Sequence, residues 1–167
     1  EYAQYRLGKL YLLGNEIEQD FQQAESWLEQ ASAQGNSYAK YSLAKMHLAG
    51  LAVQSDEVKA IRLLRESAND GNQWAQYLLG KFCFRGEHTE KNLQEAERLL
   101  TASAMQKNSQ TQYLLAKLYL CEDGIPKDAE KALHWLWESV KQKNQYAQYQ
   151  LGKMLLFGKE TNRDEKT

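Results

Sequence analysis

The feature that most limits what this chain can fold into is a gapless 36-residue repeat. Asn36, Asn72, Asn108 and Asn144 follow it, and so do Tyr5, Tyr41, Tyr77, Tyr113 and Tyr149. Lys9, Lys45, Lys81, Lys117 and Lys153 keep the same spacing, as do Leu7, Leu43, Leu79, Leu115 and Leu151. Small residues recur at Gly8, Ala44, Gly80, Ala116 and Gly152, and again at Ala24, Ala60, Ala96 and Ala132. A fixed period of this length marks an array of like supersecondary units. No single unit can bury its own apolar face, so neighbours must stack.

Each unit reads as two helices. The first is expected over about 37–49, 73–85, 109–121 and 145–157, with an opening copy at about 2–13. Ala39, Leu43, Met46 and Leu48 give one of them an apolar face at helical spacing. Gly14, Gly50, Gly86 and Gly158 follow, suited to a left-handed residue after a helix end. In the fourth unit Glu122-Asp123-Gly124 moves that glycine downstream. Asp20, Asp56, Asn92 and Asp128 are the expected N-caps of the second helices, because their short side chains can accept from free amides of the first turn. Ala24, Leu28 and Ala31 then form an inward stripe, repeated as Ala60, Leu64 and Ser67. The second helices should end near Gly35, Gly71, Lys107 and Lys143. A mid-helix glycine costs about 1 kcal/mol against alanine. Its recurrence at Gly8, Gly80 and Gly152 therefore predicts a close helix contact, with the alanine stripe of the second helix as the expected partner.

The fold class is therefore all-α, and residues 1–167 form a single repeat domain of about four and a half units. The units fall near 1–35, 36–71, 72–107, 108–143 and 144–167, the last cut short. Asp164-Glu165-Lys166-Thr167 matches the opening of a further second helix, as at Asp128-Ala129-Glu130-Lys131. Apolar surface is expected at both ends of the array, with end-to-end contacts between copies.

Lys and Arg total 21 against 22 Asp and Glu, for a net charge of -1. That balance argues against wrapping a nucleic acid through bulk charge. No run approaches the roughly 18–20 apolar residues of a membrane span, and no signal-peptide pattern opens the sequence. Cys83 and Cys121 fall at different repeat positions, which does not suggest a disulfide framework. A cytoplasmic setting is the expectation. His47, His88 and His134 also occupy different positions. His47 and Cys83 share one, but the same position holds Tyr11, Tyr119 and Leu155, which reads as core. With no third ligand, orienting carboxylate, zinc spacing or phosphate loop, no catalytic residue, metal or cofactor is assigned.

The units resemble the Sel-one-like repeat (SLR) family, a relative of the tetratricopeptide repeat. The residues that carry this are Ala3, Leu7, Gly8, Tyr11 and Gly14, then Ala24, Trp27, Leu28, Ala31, Gly35 and Asn36. The fourth unit departs at Thr111, Ala116 and Glu122. The resemblance implies a right-handed superhelical α/α solenoid of helix-turn-helix repeats, with the first helices on the concave side. It implies adaptor or scaffold roles and no shared catalytic residue. Asn-Gln-Tyr-Ala-Gln-Tyr-Gln-Leu-Gly-Lys at 144–153 also resembles wording in the repeat tails of bacterial plasmid-mobilisation relaxases. That likeness raises an accessory nucleic-acid role as an alternative.

Four positions of each first helix share one face. They give Tyr2, Tyr38, Trp74, Gln110 and Tyr146, then Tyr5, Tyr41, Tyr77, Tyr113 and Tyr149, then Lys9, Lys45, Lys81, Lys117 and Lys153, and then Leu12, Leu48, Phe84, Leu120 and Leu156. As a binding face this aromatic surface with a lysine stripe suits a protein or peptide, acidic ones above all. As a structural face the shared tyrosines serve stacking. Positions that differ between copies, such as Gln110 against Trp74 or Arg6 against Leu78, are the better candidates for specificity. Trp27 and Trp135 should lie between helices, with Trp137 pointing elsewhere.

Overall fold

The computed structural model describes residues 1–51, 54–121 and 127–156, and the helical backbone of 157–164. Among the described residues all regular structure is helical. In chain order the helices are α1 (Tyr2–Leu13), α2 (Phe21–Ala33), α3 (Ser37–Leu48), α4 (Glu57–Asn69), α5 (Gln73–Arg85), α6 (Leu93–Met105), α7 (Ser109–Leu120), α8 (Ala129–Lys141) and α9 (Gln145–Asp164). Odd-numbered helices are the first of each unit and even-numbered helices the second. Each packs on the next along the chain, and α5 also touches α7. The result is the all-α helical repeat solenoid that the period predicts.

The repeated asparagines start the first helices. Asn36 accepts from the Ala39 amide, Asn72 from Trp74 and Ala75, Asn108 from Thr111, and Asn144 from Ala147. Asp20, Asp56, Asn92 and Asp128 cap the second helices in the same way. The turn that joins units differs along the array. It passes through a left-handed residue each time, with φ of 90° at Gly35 and 84° at Gly71, but 63° at Lys107 and 62° at Lys143. An L side chain is disfavoured there, so the last two turns carry local strain that the first two avoid.

Ala24, Leu28 and Ala31 are fully buried, as are Ala60, Leu64 and Ser67. The recurring small residue does lie at a close helix contact, but its tightest neighbour is the leucine of the stripe. A Cβ on Gly8 would stand 2.8 Å from Leu28 Cγ and 3.2 Å from the Ala24 carbonyl oxygen. On Gly80 it would stand 2.9 Å from Leu100 Cγ and Cδ2. Of the alanines expected as partners, Ala24 supplies backbone to Gly8, while Leu99 and Leu100 are the nearest neighbours of Gly80, because a one-carbon side chain cannot reach across as leucine does.

Three hydroxyls add a contact that the apolar stripe did not suggest. Ser67, Ser103 and Ser139 donate to the carbonyls of Ser37, Gln73 and Ser109, at 2.7, 2.9 and 2.7 Å. A second tie joins the helices of each pair about one turn away. Gln34 donates to Gln4, Gln106 to Gln76 and Gln142 to Gln112, whereas the second unit uses Lys40 and Asp70 at 2.7 Å. The Lys40 ammonium is held above its usual pKa, chiefly by this hydrogen bond to Asp70.

The last helix departs from expectation. It does not close at 157 with Gly158 after it but runs to Asp164. Glycine permits a left-handed turn without compelling one. In other units the linker is tied back to the first helix, through Asp20 N–H to Tyr11 O, Asn92 N–H to Cys83 O and Asp128 N–H to Tyr119 O. A second helix then packs on top, and among the described residues none follows α9. Accordingly, a Cβ on Gly152 would meet nothing within 4 Å, and Leu155 and Leu156 are exposed. Tyr2 and Leu13 leave apolar surface at the other end. The displaced glycine expected at Gly124 lies outside the described residues.

Candidate functional site

The first helices set one face of the molecule, and successive ones touch along it. The ring centres of Tyr5 and Tyr38 are 5.9 Å apart, as are those of Tyr113 and Tyr146. Tyr41, Tyr77 and Tyr113 are half-buried and packed on the core, while Tyr38, Trp74, Tyr146 and Tyr149 are exposed, and so is Gln110. The repeated tyrosines therefore both stack units and present an edge to solvent. Burial raises the pKa of Tyr5, with Tyr38 and Tyr2 adding to it, and burial does the same for Tyr41, with Tyr77 and Tyr5 beside it. Three lysines lie over tyrosine rings of their own helix: Lys9 over Tyr5, Lys45 over Tyr41 and Lys117 over Tyr113, at 5.9, 5.8 and 5.9 Å. A tyrosine four residues before a lysine faces the same way on a helix, so the pairing follows from the sequence.

Two cavities lie along this face. One of about 640 Å³ spans α1, α3 and the start of α5, and gathers Tyr38, Tyr41, Lys45 and Trp74. Its floor is apolar, with Leu12, Phe21, Met46 and Leu51. The other, about 310 Å³, spans α5, α7 and the start of α9, and gathers Tyr77, Lys81, Gln110, Tyr113, Lys117 and Tyr146. Tyr149 and Lys153 line neither. Lys9, the first of the lysine row, lines the first cavity, and one cationic wall residue of the second, Arg85, was not singled out from sequence as part of this set. Arg85 follows Leu13 and Ala49 in the repeat register, so a variable-position comparison would have found it.

Neither cavity has an Asp or Glu in its wall. The reason is legible in the chain: α1, α3, α5 and α7 contain no acidic residue at all, whereas every second helix carries two. A chain of net charge -1 thus keeps its carboxylates off the face where the lysines stand.

The position shared by His47 and Cys83 is core. His47 is 2% exposed, its Nδ1 lies 3.0 Å from the Gln54 carbonyl oxygen, and its Nε2 lies 3.8 Å from Glu25. A carbonyl only accepts, so the proton of this contact sits on Nδ1. Cys83 is buried in a separate cavity, with Thr89 Oγ1 at 3.8 Å. Tyr119, one unit further on, donates to Glu97 at 2.7 Å, and burial raises its pKa first and that contact second. Among the described residues no group of three His, Cys, Asp or Glu could hold a metal ion, and no helix is long and apolar enough to cross a membrane. Trp27 and Trp135 are half-buried and Trp137 is exposed, as their phases predict.

Stacked helix pairs with a continuous first-helix face define a helical-repeat protein, a class whose members present extended surfaces. The Sel1 repeat model matches residues 1–36, 37–72, 75–108, 109–139 and 145–167, and the chain belongs to this family. Sel1 repeats generally serve as protein-interaction modules. Among solved structures, the chain is similar to a protective antigen present in uropathogenic Escherichia coli strains, with a TM-score of 0.85 and 32% identity. That match covers 94% of this chain and 34% of the antigen. It is also similar to a Sel1 repeat protein from Oxalobacter formigenes, with a TM-score of 0.84, 31% identity and coverage of 92% and 44%. The chain thus spans less than half of either relative. No curated protein matches it.

Proposed function

We propose that the chain is an interaction module that holds a peptide or protein partner on the concave face formed by its first helices. The observation that carries this reading is the pair of cavities along one face, walled by aromatics and lysines. Tyrosine and tryptophan offer broad contact area at low entropic cost, and exposed tryptophan is a frequent centre of binding energy. The positions that differ between units, Trp74 and Gln110 above all, give each stretch of the face its own character. The reading assigns the chain no reaction of its own.

The test is selection of displayed random peptides on the chain, followed by binding to a variant with Lys45, Lys81 and Lys117 all changed to glutamate. Selected peptides should lose affinity for the variant while its helical circular dichroism stays as in the parent. If affinity survives the three charge reversals, the lysine stripe serves only the fold.

A second reading, an accessory nucleic-acid module, draws on the same acid-free face. Bases stack on aromatics and lysines follow phosphates. It predicts binding of single-stranded oligothymidylate with a steep loss on added salt.

A further inference from the structure

Resting on the concave-face reading, we infer that the groove is built for an extended acidic peptide with one bulky apolar anchor residue. The anchor sits in the α1–α3 cavity, and acidic side chains follow at about three-residue intervals towards Lys81 and Lys117.

Three observations support this. The first is the asymmetry of the two cavities. The α1–α3 cavity is the larger, about 640 Å³, with an apolar floor and Trp74 at its edge, and it has room for an aromatic or large aliphatic side chain. The α5–α7 cavity, about 310 Å³, has Lys81, Arg85 and Lys117 in its wall and Gln110 where Trp74 stands one unit earlier. One end therefore rewards apolar burial and the other rewards negative charge.

The second is the segregation of charge. Lys9, Lys45, Lys81 and Lys117 form no ion pair with a carboxylate among the described residues, while Lys59, Arg98, Lys131 and Lys141 on the second helices do. Arg85 has Glu87 at 3.4 Å, outside the cavity wall. Lys9, Lys45 and Lys117 instead lie over tyrosine rings, which leaves their ammonium groups at the surface for an incoming anion. A peptide carboxylate meets these cations without competition from an acidic neighbour in the wall, and a cationic peptide meets only repulsion.

The third is the register. Successive first helices meet through side chains such as Tyr5 and Tyr38, so they stand near the wide end of helix packing, about 10 Å, and an extended chain advances about 3.3 Å per residue. Each step from one first helix to the next therefore spans about three peptide residues. Lysine recurs once per first helix, so an acidic residue at about every third position meets one lysine per unit.

The experiment selects twelve-residue peptides from a displayed random library on the chain and sequences the binders. Amide chemical shifts then locate the tightest of them. The expected result is an aromatic or large aliphatic residue with Asp or Glu at about three-residue intervals, mapped to α1, α3, α5 and α7. The K81E/K117E variant should bind these peptides at least tenfold more weakly. K81Q/K117Q, which keeps the fold if the reversal does not, should show a smaller loss in the same direction. Neutral or basic peptides mapping to the first helices would overturn this inference and leave the concave-face reading standing. Binders mapping to α2, α4, α6 and α8, or a library without binders, would overturn both. So would oligothymidylate displacing every acidic peptide at lower concentration than the peptides themselves require.

Discussion

The first two units and the two that follow share one register and differ in what fills it. Both halves repeat the same tyrosines and lysines. The first half turns through Gly35 and Gly71, and its groove has leucine and methionine in its wall and meets Trp74 of the next unit. The second half turns through Lys107 and Lys143, and its groove is polar, with Gln110 and Arg85. Gly8 lies against Leu28 in the first half, whereas Gly152 in α9 faces open space. Residues common to both halves explain why units stack. Only residues that differ can explain why one stretch of the face binds something another does not.

The largest test of that division is in the core. Leu28 and Leu100 occupy one position in different halves and are both fully buried beneath a glycine. Truncating either to alanine should cost about 2–5 kcal/mol in urea unfolding. A cost confined to one half would break the equivalence of the units. Next comes the exchange of the variable position. The W74Q/Q110W double variant should move the apolar anchor preference from the α1–α3 cavity towards the α5–α7 cavity, and weaken peptides selected on the parent about tenfold, or about 1.4 kcal/mol. Unchanged affinity would show that Trp74 is not part of the site.

The turns come third. K107G and K143G should each stabilise the chain by about 1 kcal/mol in thermal or urea unfolding, because they relieve a left-handed residue that carries a side chain. G71K should cost about as much, and neutral results would mean that the two kinds of turn are energetically alike. A smaller effect is expected at alkaline pH. The pKa values of Tyr5, Tyr41 and Tyr119 are raised by burial first. The folded state then holds protons that the unfolded state has begun to lose at about pH 10. Stability from these groups is complete below about pH 10 and declines as pH rises through the folded values. Absorbance of tyrosinate should show part of the ten tyrosines titrating late, up to unfolding. Titration of all ten together near the free value would contradict it. The smallest effect is expected at the second unit's tie. The K40Q/D70Q double variant, which installs the glutamine pair of other units, should change stability by no more than about 0.5 kcal/mol, since the ion pair it removes is near the surface.

Helix positions, the N-caps of the second helices and the left-handed glycines Gly14, Gly50 and Gly86 after the first helices were legible because each is local and recurs at a fixed spacing. The cost of a mid-helix glycine signalled a close contact but not its partner, since reach depends on side-chain length across two helices. The ties from Gln34 to Gln4 and from Ser67 to the Ser37 carbonyl span 30 residues within a unit, and no local pattern announces them. The end of α9 was misread because Gly158 signals a turn only where a second helix follows to hold it. For the candidate site, the face and its tyrosine and lysine rows were readable from helical spacing. Its division into an apolar and a cationic cavity was not, because that depends on which variable residues from three different helices meet.

The central claim is that binding takes place on the first-helix face, and cross-linking tests it most directly. A photoreactive residue is placed either at Gln110 on that face or at Val58 on α4, which is 82% exposed. Each variant is irradiated with the same selected peptide. The account predicts an adduct from position 110 and none from position 58. An adduct from position 58 with none from position 110 would place the partner on the second helices and contradict it.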